Sequence, residues 1–236
     1  MHGDIFSYAL LAALATGLLV AAFTDLQRRQ IDNWLTAAIA LTAPLFWIAS
    51  GFSLIQIGWQ LGLGLVVFIV TAGLFALRQM GGGDVKLLAA VALWITPLAF
   101  LKLVVMMGLI GGAASIAGAA FNMQRQEGER VRDLLGAAAA FAWVGGSAWV
   151  LYAVISGRPP ITPEFLAALT SVFTRPWMLI SALAMLVILI LLGIRHIVRR
   201  QKSRLRIPYG VAISIAGLWI LANQYLPALH ADTFAG

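Results

Sequence analysis

Apolar residues run along this chain in long, nearly unbroken stretches separated by short polar segments. Runs at Ile5–Thr24, Trp34–Ser50, Leu54–Leu77, Leu134–Ser156, Trp177–Ile194 and Pro208–Leu226 each approach the ~17–25 residues that a helix needs to cross a bilayer. A further stretch, Asp84–Phe121, is too long for one crossing. Pro97, in "ITPLAF", offers a turn, so this stretch divides into a short helix near 84–96 and a longer one after it. Eight spans result. The predicted fold class is all-α, a polytopic transmembrane helix bundle, because lipid gives backbone groups no partner outside their own helix. "SGRPPITPEFLAALTSVFTRP" (156–176) begins as a proline-rich turn. It continues as an amphipathic helix expected to lie on the outer surface.

Composition agrees with this pattern. The 236 residues are 61% hydrophobic and 11% charged, against roughly 45–50% and 25% in soluble domains. The net charge of +7 would suit nucleic acid if it formed one patch. Instead the basic residues sit in short segments between apolar runs, as membrane topology requires. With the loop after the first span in the cytoplasm, thirteen of the sixteen Lys and Arg are cytoplasmic. Only Lys102, Arg158 and Arg175 fall outside. Both termini are then expected on the non-cytoplasmic side. The N-terminal run has no basic leader and no small-residue cleavage site, so it reads as a mature span and not a removable signal. There are no cysteines and only three dispersed histidines, which leaves no thiolate chemistry and no metal-ligand spacing. No phosphate-binding loop or serine triad is present, and "GLIGGAASIAGAA" (108–120) lies inside an apolar run as helix packing.

Among the nine acidic residues, two sit where burial is expected. Asp25 directly follows the first span, in "AAFTDLQRRQIDNWL", and Asp84 opens the short helix in "RQMGGGDVKLL". Two spans separate them, so both arrive at the cytoplasmic interface. Such a pair of carboxylates, if close, shares one proton. The ionised member takes a proton from water, while the protonated member donates to a scissile carbonyl. Either aspartate alone also fits a helix cap or a surface charge. Gly81, Gly82 and Gly83 carry no Cβ and let backbone approach closely. At "RLRIPYGVAISIAG" (204–217), Pro208 suits a helix start and Tyr209 an interface, at the same depth as the two aspartates.

These three motifs together resemble the prepilin peptidases, the type IV leader peptidases or class III signal peptidases. They are membrane aspartyl proteases of the GxGD type. "GGGDVKLL" is similar to the GxGD signature, "TDLQRRQIDNWLT" to the segment around the first catalytic aspartate, and "IPYGVAI" to a Pro-Tyr-Gly motif opening a late helix. The resemblance implies an aspartic endopeptidase without a cofactor or bound metal. It would cut the short basic leader peptide from type IV pilin-like precursors at the cytoplasmic face of the plasma membrane. It implies Asp25 and Asp84 as the catalytic dyad. Gly81, Gly82, Gly83, Lys86, Pro208, Tyr209 and Gly210 would shape the substrate cleft. The partners implied are the precursor and the bilayer, with no nucleic acid.

The chain departs from the family at Asp32, where a proline is usual after the first aspartate, which adds a third acid near the site. It also lacks the cysteine-bearing insertion of larger bacterial members, so a peptidase without methyltransferase activity is expected. One membrane domain, 1–236, is predicted, with a catalytic half at 1–121, additional helices at 122–203 and the late-motif helix at 204–236. Two other functions use the same residues differently. One is a transporter carrying protons or cations on its membrane acids. The other is a non-catalytic assembly scaffold whose basic segment at 195–206 binds an acidic partner or anionic lipid.

Overall fold

A computed structural model describes residues 5–124, 128–173, 175–203 and 207–233, with side chains in the last segment described to Tyr225. Nine helices form among these residues: α1 (Ile5–Arg28), α2 (Asn33–Ala49), α3 (Leu54–Ala76), α4 (Gly82–Ala92), α5 (Pro97–Phe121), α6 (Arg130–Ser156), α7 (Pro163–Val172), α8 (Pro176–Arg199) and α9 (Tyr209–Thr233). Every apolar run expected to be a helix is one, and the proline-rich segment leads into α7, capped by the Thr162 hydroxyl. Of the basic-loop residues, Arg125, Arg204 and Arg206 lie outside the described residues.

Part of the expected set of eight spans is borne out. Among the described residues five helices, α1, α3, α5, α6 and α8, are long and apolar enough to cross a membrane, and α2 is apolar but has 17 residues. The short helix expected at 84–96 has 11 residues and rises only about 16 Å, against a hydrocarbon core of about 30 Å. By itself it covers about half of that thickness, and residues 93–96 carry the chain on to α5.

The chain forms two compact units, divided within α5 at Gly108 and again before Pro208. In the first, α1 packs on α2 and α9, and α4 lies among α2, α3 and α9. Leu14, Leu18, Phe46, Trp94, Leu103 and Ile213 fill its centre. Trp94 stacks on Phe46 with centroids 5.2 Å apart. Lipid tails are as apolar as these side chains, so the gain comes from dispersion contacts and internal hydrogen bonds, not from leaving water.

One consequence is visible at the C-terminal end of α4. A helix end leaves carbonyls without intrahelical partners, and this one ends inside the bundle. Gln60 of α3, buried, donates its side-chain amide to the carbonyls of Ala92, at 3.0 Å, and Ile95. The Trp47 indole of α2 donates to the Leu93 carbonyl at 2.8 Å. The Trp94 indole in turn donates to the Ile39 carbonyl at 2.8 Å. Neighbouring helices thus satisfy the end of α4.

In the second unit α6 packs along α8. A Cβ on Gly193 would stand 2.4 Å from that of Ala139, so the two backbones cross closely. Ala119, Ala140 and Ile197 form a small core there. Before its basic last turns α8 is apolar and open, and along its length only Gly193 and Ile197 are buried.

Candidate active site

The site lies in the first unit, where three helix ends meet. α1 carries Asp25 in its last turn. The helix stops because Arg29 turns left-handed, at φ 56°, with its N–H bonded back to the Asp25 carbonyl at 3.0 Å. Arg78, at φ 59°, ends the region of α3 in the same way, and the chain then enters α4 at Gly82 with Gly81 as its cap. Asp84 is the third residue of α4. An acid in a first turn faces the positive end of the helix.

The glycines are spaced by contact. The Asp84 side chain folds back over Gly81, whose N–H it meets, so a Cβ on Gly81 would stand 2.9 Å from Oδ2 of Asp84. A Cβ on Gly83 would meet the Cβ of Ile31 at 3.2 Å, whereas one on Gly82 would make only an ordinary contact with the Phe75 ring at 3.4 Å. The first and third glycines are therefore constrained and the middle one is not. That is the physical content of a Gly-x-Gly-Asp pattern.

Asp25 is 6% exposed. The start of α9 closes over it, with the N–H groups of Gly210 and Val211 turned toward its carboxyl. A Cβ on Gly210 would stand 2.7 Å from Oδ2 of Asp25 and 2.7 Å from Cδ1 of Ile31. Ile31 thus touches Gly83 on one side and Gly210 on the other. Oδ2 of Asp25 is buried and has no hydrogen-bond partner among the described residues.

Asp25 and Asp84 line one pocket of about 400 Å³ with Gly81, Gly82, Gly83, Arg29, Gln30, Ile31, Asp32 and Asn33. Burial first, and then the charge of Asp25, push the Asp84 carboxyl up to about 6, against the pull of the Gly81 N–H. A carboxyl so placed holds or releases a proton near neutral pH, and it does so as one of a coupled pair. Among the described residues no group of His, Asp and Glu is placed to hold a metal ion.

The remaining expected site residues, Lys86, Pro208, Tyr209 and Gly210, do not line this pocket. Lys86 donates to Oδ1 of Asn33 at 2.7 Å and lines a neighbouring apolar groove between α2, α3 and α4. Gly210 backs Asp25. Pro208 accepts the Val211 N–H at 3.2 Å, and Tyr209 begins α9. Sequence reasoning missed Ile31 as the wedge, Asn33 as the partner of Lys86, and Arg29 and Gln30 on the pocket wall. Their nearness to Asp25 in "DLQRRQIDN" was the one signal available.

A multi-pass helical membrane protein that brings two aspartates to a glycine-walled pocket belongs to a narrow class. A model of the type IV leader peptidase family matches residues 12–194, a range that includes Asp25 and Gly81–Asp84 and ends before Pro208. The chain belongs to that family, and a protease function follows at the level of the family. Comparison with curated proteins and with solved structures gave no match.

Proposed function

We propose that this protein is an aspartyl endopeptidase that removes the short basic leader from type IV pilin-like precursors at the cytoplasmic membrane face, with Asp25 and Asp84 as its dyad. The observation that carries this reading is the shared pocket. Two carboxylates from separate helices line it, one with a buried, unpartnered oxygen and the other with its proton affinity raised by burial and by the first.

In the proposed reaction one carboxyl is protonated and one ionised. The ionised member takes a proton from water as the water oxygen bonds to the scissile carbonyl carbon. The protonated member donates to the carbonyl oxygen. Collapse of the tetrahedral intermediate breaks the C–N bond, and a proton from the dyad passes to the leaving amine. Asp25, Asp32 and Asp84 against Arg29 alone give the pocket an acidic balance, which complements a basic leader.

The test is cleavage of a pilin-like precursor by the purified protein in detergent, comparing wild type with Asp25→Asn and Asp84→Asn. Both variants are expected to fold and to lose activity by about 100-fold or more. Wild-type rates in either folded variant would remove that residue from the dyad and turn attention to Asp32.

A further inference from the structure

The second unit holds a polar cluster that the proposed protease chemistry does not use. A pocket of about 410 Å³ is lined by Glu129, Arg132, Arg195, His196, Arg199 and Arg200, with Leu192 as its one apolar wall. Beside it His196 hydrogen-bonds Asp133 at 2.9 Å. Glu129 pairs with Arg200 at 2.5 Å and with Arg132 at 3.5 Å. Four arginines therefore face two carboxylates, an excess of two positive charges.

That excess is held in place. Arg200 is fixed through its backbone by the Gln124 N–H at 2.9 Å, and Lys202 bonds the Asn122 carbonyl at 3.0 Å. Nη1 of Arg200 is buried and has no hydrogen-bond partner among the described residues. Arg195 and Arg199 make no ion pair among them either. A buried guanidinium N–H without an acceptor is costly, and an anion in the pocket would supply one.

The surroundings narrow the anion. The pocket sits at the end of α8, the span whose apolar face is open almost throughout. Ile188, Leu189, Leu191 and Leu192 lie on the turns of α8 that lead up to it, and each is more than half exposed. A ligand with a phosphate head and hydrocarbon tails matches both parts. The head meets arginines, which grip phosphate oxygens in pairs, while the tails follow α8. On the positive-inside reading this end faces the cytoplasmic leaflet, where anionic lipid is met.

We propose that the α6–α8 pocket is a binding site for the phosphodiester headgroup of an anionic phospholipid. The site shares no residue with the aspartate pocket, and its test reads binding, not cleavage. Purified protein in neutral detergent is titrated with phosphatidylglycerol, with phosphatidylcholine and with inorganic phosphate, and bound lipid is counted by native mass spectrometry alongside the thermal unfolding midpoint. Phosphatidylglycerol is expected to be retained and to raise the midpoint, with the other two having little effect. Arg195→Gln with Arg199→Gln, at two exposed positions, is expected to keep the unliganded unfolding midpoint and to weaken phosphatidylglycerol binding roughly tenfold to thirtyfold. Equal retention of phosphatidylcholine overturns the headgroup assignment. A midpoint shift reproduced by phosphate alone overturns the lipid. Undiminished binding in the double variant overturns the pocket.

Discussion

An alanine at Gly81 would put its methyl 2.9 Å from Oδ2 of Asp84. The carboxylate is the flexible partner, so it moves and the backbone stays. Gly81→Ala is therefore expected to keep the thermal midpoint within a few degrees and to lose cleavage by about 100-fold, as misplacement of a reacting group does. Gly82→Ala, with only an ordinary ring contact, is expected to cut within about twofold of wild type. Equal losses at the two positions would contradict the contact argument. Asp32 invites the opposite change. Its φ of −66° and ψ of 138° are those of proline, so the backbone already accepts one there. Asp32→Pro is expected to stabilise the protein by about 0.4–1 kcal/mol and to keep cleavage. Loss of cleavage in a folded Asp32→Pro protein would show that the third carboxylate takes part.

At the scale of elements, α4 depends on donors from its neighbours. Gln60→Leu fills similar space but leaves the Ala92 and Ile95 carbonyls without their side-chain donor. It is expected to cost about 1–3 kcal/mol, read as a lower unfolding midpoint, with less cleavage because Asp84 rides on the same helix. An unchanged midpoint would mean that those carbonyls find other partners. The helices themselves were legible in the hydropathy runs, because a span must be apolar over most of its length. Their ends were less so: α1 runs on to Arg28 through Asp25, since a charged last turn can leave the apolar core without ending the helix. Gln60 and Trp47 carried no signal, because their roles arise only when separate helices meet. The motif glycines stood out in the sequence, but which of them are constrained depends on the positions of Asp84 and Ile31.

For the whole molecule, single thiols report orientation, because the chain has no cysteine of its own. Gln79→Cys and Arg158→Cys place single thiols in exposed loops after α3 and α6. With the basic loops in the cytoplasm, a membrane-impermeant maleimide added to intact cells is expected to label Arg158→Cys, and Gln79→Cys only after permeabilisation. The reverse pattern would invert the topology and move the aspartate pocket to the other face. The end of α4 bears on how that pocket works. With the terminal carbonyls of α4 held by Gln60 and Trp47, sliding or unwinding the helix would break several bonds that lipid cannot replace. Asp84 therefore stands on a fixed post. In the proposed reaction the peptide, and not Asp84, would then be the part that moves.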